Sequence, residues 1–82
     1  MAQIIKVDGS TEALTDLSLA SLQAAVGGYI QLVSTPDGKT LICDEEGKCK
    51  DKPINAVATK LYANPYDVIV GDAILDEAGE ID

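Results

Sequence analysis

The chain has no histidine, no arginine and no tryptophan, and these absences remove most familiar catalytic and binding sites. Without histidine, neither a Ser-His-Asp arrangement nor a Cys-His pair can form, and a histidine-based metal centre is excluded as well. Without arginine, an anion would have to be bound by lysines, backbone amides and helix N-termini. We therefore expect a protein that is not an enzyme and that holds no metal and no cofactor.

Cysteines are few, and no long apolar run is present. Cys43 and Cys49 flank the segment DEEGK, and they would face one another if that segment is a hairpin turn. No leader with a basic start and a long apolar core is visible, and no run approaches the roughly 18 to 20 apolar residues that cross a bilayer. This favours a cytoplasmic protein with reduced thiols, although the pattern leaves open whether the two cysteines pair.

Positive charge is scarce, with six lysines against fourteen acidic residues and a net charge of −8. Residues 61–82 contain six acids and no base. Such a field repels nucleic acid and anionic membranes, so we expect the chain to bind neither directly. A protein that imitates DNA through its carboxylates is compatible with the same charge.

Hydrophobic patterning predicts a single small domain over residues 1–82, with an acidic, frayed tail over 76–82. Leu19, Leu22 and Val26 recur at helical spacing after a capping Ser18 or Asp16, and Gly27 follows where a helix ends in the left-handed conformation. The segment TEALTD is ambiguous. The predicted elements are a strand over 3–7, a helix over 18–26, a hairpin over 28–44, a helix over 53–62 and a strand over 67–75 that is interrupted at Gly71.

The resulting order is β-α-β-β-α-β, which indicates an α+β fold with a small antiparallel sheet and two short helices. Two arrangements fit this order. In a ferredoxin-like sandwich both helices cover one face of a four-stranded sheet, whereas in a half-open barrel the helices lie at the rim.

The last predicted strand is apolar on both faces, whereas a sheet covered on one side should alternate. A second subunit is the simplest cover for the other face, so we expect a homo-oligomer. The competing explanation is a tightly curved sheet that buries both faces within one chain.

A candidate ligand site combines two glycines with polar and aromatic residues. Gly27 is explained by the end of the helix, but the second glycine is not, and its backbone amide is free to approach a ligand where no side chain intervenes. Polar residues four apart on the second helix, followed three positions later by a tyrosine, form a stripe suited to a base or sugar. The same stripe is also typical of a solvated helix face. The predicted ligand-binding residues are Gly27, Gly28, Tyr29, Asn55, Thr59 and Tyr62.

Four separate segments, LQAAVGGYIQLV, CDEEGK, NAVATKLY and DVIVGDAIL, resemble a family of small proteins from phages, prophages and mobile elements that is known as a domain of unknown function. The resemblance covers roughly residues 21–75. It implies a phage-type protein in the host cytoplasm rather than a particular chemistry. Small phage proteins serve takeover and counter-defence, and some sequester nucleotide immune signals.

Three functions follow as hypotheses. The first is a non-enzymatic binding protein that sequesters a nucleotide-like immune signal, with Lys48, Lys50 and Lys52 of a neighbouring subunit supplying positive charge. The second is an acidic interaction protein or DNA mimic that blocks a nucleic-acid-binding protein of the host. The third is metal-assisted hydrolysis of a phosphorylated substrate by Asp67 and Asp72.

Overall fold

A computed structural model describes residues 2–77, which form five short strands and two short helices. The α+β class, with a small antiparallel sheet and two short helices, is confirmed. In chain order the elements are β1 (Ala2–Ile5), β2 (Thr11–Leu14), α1 (Leu19–Val26), β3 (Ile30–Ser34), β4 (Thr40–Asp44), α2 (Ala56–Leu61) and β5 (Ala73–Asp76).

The strands form one open sheet in the order β2-β1-β5-β4-β3, and every neighbouring pair is antiparallel. The strand that comes last among the described residues therefore lies in the middle. Ile74 of β5 is opposite Ile4 on one side and opposite Ile42 on the other. The sheet ends at β2 on one edge and at β3 on the other.

The helices lie on opposite faces of this sheet. Side chains of consecutive strand residues point to opposite faces, and the buried residues divide accordingly into two clusters. Leu22 and Val26 of α1 pack on one face with Ala2, Ile42 and Ile74. The other face carries Ala58 of α2 with Ile5, Leu41, Cys43, Ile69, Ala73 and Leu75.

This arrangement rules out the ferredoxin-like alternative, in which both helices share one face. It also gives a different reason for the apolar character of β5, since each face of that strand is covered by a helix of the same chain. The observation no longer requires a second subunit, and a homo-oligomer stays a prediction without this support.

The element order contains one strand more than predicted, because the ambiguous segment TEALTD holds β2. The sequence signal that could have predicted β2 was the turn before this strand, since Asp8-Gly9 is a dipeptide typical of hairpin turns. The backbone N–H of Lys6 donates to the carbonyl of Ser10 across this turn, and the Asp8 carboxylate accepts from the Ser10 N–H at 2.8 Å. Gly9 has a φ of 90°, as the turn requires.

The residues that cap α1 are as predicted. Ser18 caps the N-terminus by accepting from the Ser21 N–H, and Asp16 accepts in turn from the Ser18 N–H at 3.0 Å. Gly27 ends the helix in the left-handed conformation with a φ of 85°. Both helical segments are shorter than predicted, and α2 begins only after Asn55 rather than at the proline two residues earlier.

The last strand is also shorter than predicted. Gly71, with a φ of 74°, separates β5 from Val70, which forms only an isolated bridge with Ile54. Asp76 is a buried strand residue and not part of a frayed tail. Residues 78–82 of the predicted tail lie outside the described residues. No helix within residues 2–77 is long and apolar enough to span a membrane.

Asn55 holds the start of α2 against the sheet, which makes it a test of the fold. Its carboxamide is fully buried, donates to the carbonyls of Ile5 at 2.8 Å and Gly71 at 3.0 Å, and accepts from the Ala58 N–H. Asn55→Ala removes all three bonds, so it should lower the free energy of unfolding by about 3 kcal/mol in urea titrations. The exposed turn residue Asn64 provides the control, because Asn64→Ala should cost less than about 1 kcal/mol. Equal losses would contradict this role.

Candidate functional site

A buried carboxylate at the end of β4 organises one end of the sheet. The side chain of Asp44 has no exposed surface. Its carboxylate accepts from the ammonium groups of Lys52 at 2.7 Å and Lys50 at 3.0 Å, and from the Glu46 N–H at 2.9 Å. A buried charge is tolerated when it is paired and hydrogen-bonded in this way.

The same two lysines bind the C-terminus of α1, where backbone carbonyls lack partners within the helix. Lys52 Nζ donates to the Val26 carbonyl at 2.6 Å, and Lys50 Nζ donates to the Gly27 carbonyl at 3.3 Å. Positive charge is favourable at this end of a helix dipole. The Asp44 cluster, defined as Asp44, Lys50 and Lys52, therefore joins β4 to the end of α1.

This cluster explains the second glycine of the Gly27-Gly28 pair. A β-carbon built onto Gly28 would lie 2.6 Å from Lys50 Nζ and 2.8 Å from Asp44 Oδ1, closer than real contacts allow. The backbone does make a close approach here, but to a carboxylate of the same chain. Both glycine amides donate to the Gln23 carbonyl, at 2.8 Å and 3.1 Å, so neither is presented to a ligand.

The predicted binding residues of α2 are used within the chain. Asn55 caps the helix, as described above. Thr59 Oγ1 donates to the carbonyl of Ile69 at 3.3 Å and accepts from the N–H of the same residue at 2.9 Å. Tyr62 is half-buried at the end of the helix and packs against the core, while Tyr29 is 65% exposed. Asn55 and Thr59 therefore bind the backbone of their own chain, whereas the two tyrosine rings keep exposed surface.

Electrostatics make Asp44 an unusually strong acid. Burial by itself raises the pKa of this carboxyl group, but the bonds from Lys52, from the Glu46 N–H and from Lys50 outweigh it and lower the pKa to about 2. Four exposed aspartates also have a lowered pKa, chiefly through one hydrogen bond each. These bonds are Asp8 to Ser10, Asp16 to Ser21, Asp37 to Thr35 and Asp67 to Lys48.

A groove of about 200 Å³ lies beside this cluster on the α2 face. We call it the β3–β4 groove. Gln31, Val33 and Cys43 form its sheet side, and Tyr62 lies opposite on the chain that follows α2. The remaining lining residues are Asp44, Glu45, Lys48, Asp67, Val68, Ile69 and Val70.

The groove is lined by both charged and apolar side chains. Lys48 and Asp67 form an ion pair across it. Glu45 is exposed and forms no ion pair with any residue between 2 and 77. Of the three lining carboxylates, Asp44 is neutralised by Lys50 and Lys52, and Asp67 is paired with Lys48. Glu45 is therefore the carboxylate of the lining at which a cationic group would find an unpaired charge among residues 2–77.

The two carboxylates considered for metal-assisted hydrolysis lie apart. Asp67 lines the β3–β4 groove, whereas Asp72 lines a shallower cavity with Gly27 and accepts from the Val7 N–H at 3.1 Å. Within the part of the chain that the structure describes, no group of three acidic or cysteine side chains is placed to hold a metal ion.

Comparison with known protein families identifies the family of this chain. A family described as a domain of unknown function, DUF3846, matches residues 1–80. The chain belongs to this family. No curated protein and no solved structure matches it. Membership of a domain of unknown function is therefore confirmed, while an origin in phages stays a prediction.

Sequence reasoning about this DUF3846 chain missed the Asp44 cluster. The signal was present, since the apolar strand TLIC ends in an aspartate and lysines recur at positions 48, 50 and 52. The hypothesis of nucleotide binding had these lysines reach from a neighbouring subunit to supply positive charge to the ligand. The structure shows instead that Lys50 and Lys52 neutralise a carboxylate of their own chain, and that Lys48 pairs with Asp67.

The depressed pKa of Asp44 predicts a stability that depends on pH. A carboxyl group whose pKa is lower in the folded chain stabilises the fold above its unfolded pKa, and this stability is lost as the pH falls through the folded value. For Asp44 the loss should occur between about pH 4 and pH 2. In urea titrations, Asp44→Asn should cost about 3 kcal/mol at neutral pH and should flatten the decline below pH 4.

The decline should not disappear in Asp44→Asn, because the four exposed aspartates with lowered pKa values still contribute. Asp51→Asn is the matched control, since this carboxylate is exposed and forms no ion pair among the described residues. It should change the free energy of unfolding at neutral pH by less than about 0.5 kcal/mol. A variant Asp44→Asn as stable as Asp51→Asn at neutral pH would refute the role of the cluster.

The two thiols of this DUF3846 chain should react at different rates. Both are free, with Cys43 buried in the groove wall and Cys49 exposed in the following turn. Burial raises the pKa of the Cys43 thiol, and the neighbouring Asp44 carboxylate raises it further, so less of the reactive thiolate forms. Alkylation followed by peptide mass spectrometry should modify Cys49 first and Cys43 only after urea is added. Equal rates in the native protein would show that the groove is open to the reagent.

Proposed function

We propose that this chain is a non-enzymatic interaction protein that binds a basic segment of a partner protein at the β3–β4 groove. One observation carries the proposal, namely the position of the three tyrosines, which are the only aromatic residues of the chain. Tyr62 lines the groove, and Tyr29 and Tyr66 are exposed on segments that contain or bond to lining residues. Tyrosines are enriched at protein interfaces, where the ring supplies contact area and the hydroxyl stays hydrated.

Tyr29 and Tyr66 are both connected to the groove through its lining residues. The Tyr29 carbonyl accepts from the Glu45 N–H at 2.9 Å. Tyr66 is 96% exposed and immediately precedes Asp67. A tyrosine with so little contact to its own fold contributes nothing to core packing, so its ring is available for contact with a partner.

Charge determines what kind of partner fits. Five of the six lysines form ion pairs within the described residues, with Glu12, Asp37, Asp67 and the shared Asp44. Lys60 is the exception. Because the net charge is −8, the protein attracts positively charged surfaces. Basic surfaces of host nucleic-acid-binding proteins belong to this class of partner.

Small-molecule binding in the same groove is the second candidate, and a nucleotide immune signal is its most concrete form. Tyr62 favours it, since its ring is placed where a flat ligand would lie. The phosphates of such a nucleotide would find few groups to bind them. The glycine amides and the Lys50 and Lys52 ammonium groups have partners within the chain, and the Glu45 carboxylate at the groove forms no ion pair with any residue between 2 and 77.

The proposal predicts binding that weakens with salt. A short fluorescent peptide in which lysine alternates with valine should bind the protein in polarisation titrations, and its affinity should fall at least about ten-fold from low to high salt. A matched peptide with glutamate in place of lysine is the control and should not bind. Tyr66→Ala should weaken binding of the lysine peptide several-fold, because it removes an aromatic contact and leaves the core unchanged.

Calorimetry with cyclic dinucleotides and ADP-ribose derivatives decides between the candidates. Heat from a nucleotide, with none from the lysine peptide, would contradict binding of a basic segment and support nucleotide binding. Equal affinity for the lysine and glutamate peptides would also contradict the proposal, since charge would then play no part in recognition.

A further inference from the structure

One edge of the sheet is formed by β3, whose residues also line the groove. Among residues 2–77, its only strand neighbour is β4. In an antiparallel pair, hydrogen-bonded positions alternate with positions whose N–H and C=O point away from the partner strand. The pattern in β3 can be read from the bonds at its two ends.

The Thr35 N–H donates to the Lys39 carbonyl at 3.0 Å, and the Glu45 N–H donates to the Tyr29 carbonyl at 2.9 Å. Bonded positions recur at every second residue between Tyr29 and Thr35, so Gln31 and Val33 also bond to β4. Ile30, Leu32 and Ser34 therefore point their backbone groups outward.

Only the end of this outer edge is covered among the described residues. The Ser34 carbonyl accepts from the Ala63 N–H at 3.0 Å, which is the outward direction that the alternation requires. No bond from another described segment reaches the outward N–H and C=O of Leu32. The row from Ile30 to Leu32 is thus a template for another strand.

The opposite edge of the sheet is protected in a way that β3 is not. β2 contains Glu12, which pairs with Lys6, and charged residues on an edge strand discourage further pairing. The β3 sequence IQLVS contains no charge, and Leu32 is 42% exposed. Uncharged, exposed edges of this kind are normally selected against unless they pair with something.

We propose that an extended basic segment of a partner protein adds to β3 as a sixth strand. This inference deepens the proposed function and rests on it. The backbone of the segment would bond to Ile30 and Leu32, and alternate side chains would enter the β3–β4 groove. Gln31 and Val33 belong both to the edge strand and to the groove lining, so a strand beside β3 lies along the mouth of the groove.

Charge favours a basic segment over a second copy of this chain. Two copies joined edge to edge would each carry a net charge of −8, and this like charge opposes their association. A lysine or arginine of a partner would instead meet Glu45, the groove carboxylate that has no ion-pair partner among residues 2–77. The apolar residues of the segment would contact Val33, Tyr62 and Val68.

Leu32→Pro tests the strand addition directly. Proline has no N–H, and an edge strand tolerates it where the N–H faces outward, so the bonds to β4 should persist. Leu32→Thr is the matched control, because it makes the side chain polar but retains the N–H and a residue suited to strands. Leu32→Pro should weaken binding of the lysine–valine peptide at least about ten-fold, and Leu32→Thr by less than about three-fold. Urea titrations of both variants check that they remain folded.

A second measurement uses the wild-type protein and therefore does not depend on the fold of a variant. Methylating alternate backbone nitrogens of the peptide removes its donors on one edge while keeping its charge. Of the two methylated registers, one should lose at least about ten-fold in affinity, and the other should bind nearly as well as the parent peptide. This result supports strand addition even if Leu32→Pro fails to fold.

Three outcomes would overturn the inference. Equal binding by both methylated peptides and by folded Leu32→Pro would exclude strand addition, while salt-sensitive binding would leave the proposed function standing. Failure of the wild-type protein to bind the lysine peptide at all would remove both. Light scattering that shows a dimer, converted to a monomer by Leu32→Pro but not by Leu32→Thr, would assign the edge to a second copy of the chain.

Discussion

The placement of the groove and of the free sheet edge depends on one buried charge, the carboxylate of Asp44. This group draws two lysines from the following turn onto the end of α1, and so connects residues that are 23 and 26 positions apart in the sequence. The connection fixes where the chain leaves α1 and enters β3. A carboxylate in this position is stable only because cations and a backbone N–H surround it, since an isolated buried charge would not be tolerated. The two lysines therefore stabilise the fold, and their ammonium groups are already bonded within the chain.

The elements that depend on local sequence were the ones that sequence could predict. Gly27 ends α1 because its own conformation requires it, Ser18 caps the helix through its neighbour three residues on, and the hairpin of β3 and β4 follows from its turn. The face that each helix covers could not be predicted, because it depends on which strands become neighbours. A strand with two apolar faces looks the same whether a helix or a second subunit covers it.

The candidate site was harder to predict for a related physical reason. Polar residues such as Asn55 and Thr59 are typical of binding sites, yet they are also the residues that cap helices and bind backbone carbonyls in the interior. A sequence does not show which of these uses applies until the distant carbonyl partners are known. Tyr29 is different, because its large ring is not taken up by the core and remains on the surface. Tyr62, which packs against the core, is the predicted residue that lies in the groove.

The position of β5 has a consequence for how the molecule comes to be folded. Because this strand separates the β1–β2 hairpin from the β3–β4 hairpin, a nascent chain that has emerged only as far as residue 70 contains two hairpins with no shared partner. Each would be an isolated ribbon, which is at best marginally stable in water. The strand then completes both ladders at once, through contacts that are distant in sequence and slow to close. Until that moment the uncharged β3 lies exposed next to other newly made chains, and the strong negative charge of the polypeptide keeps such chains apart.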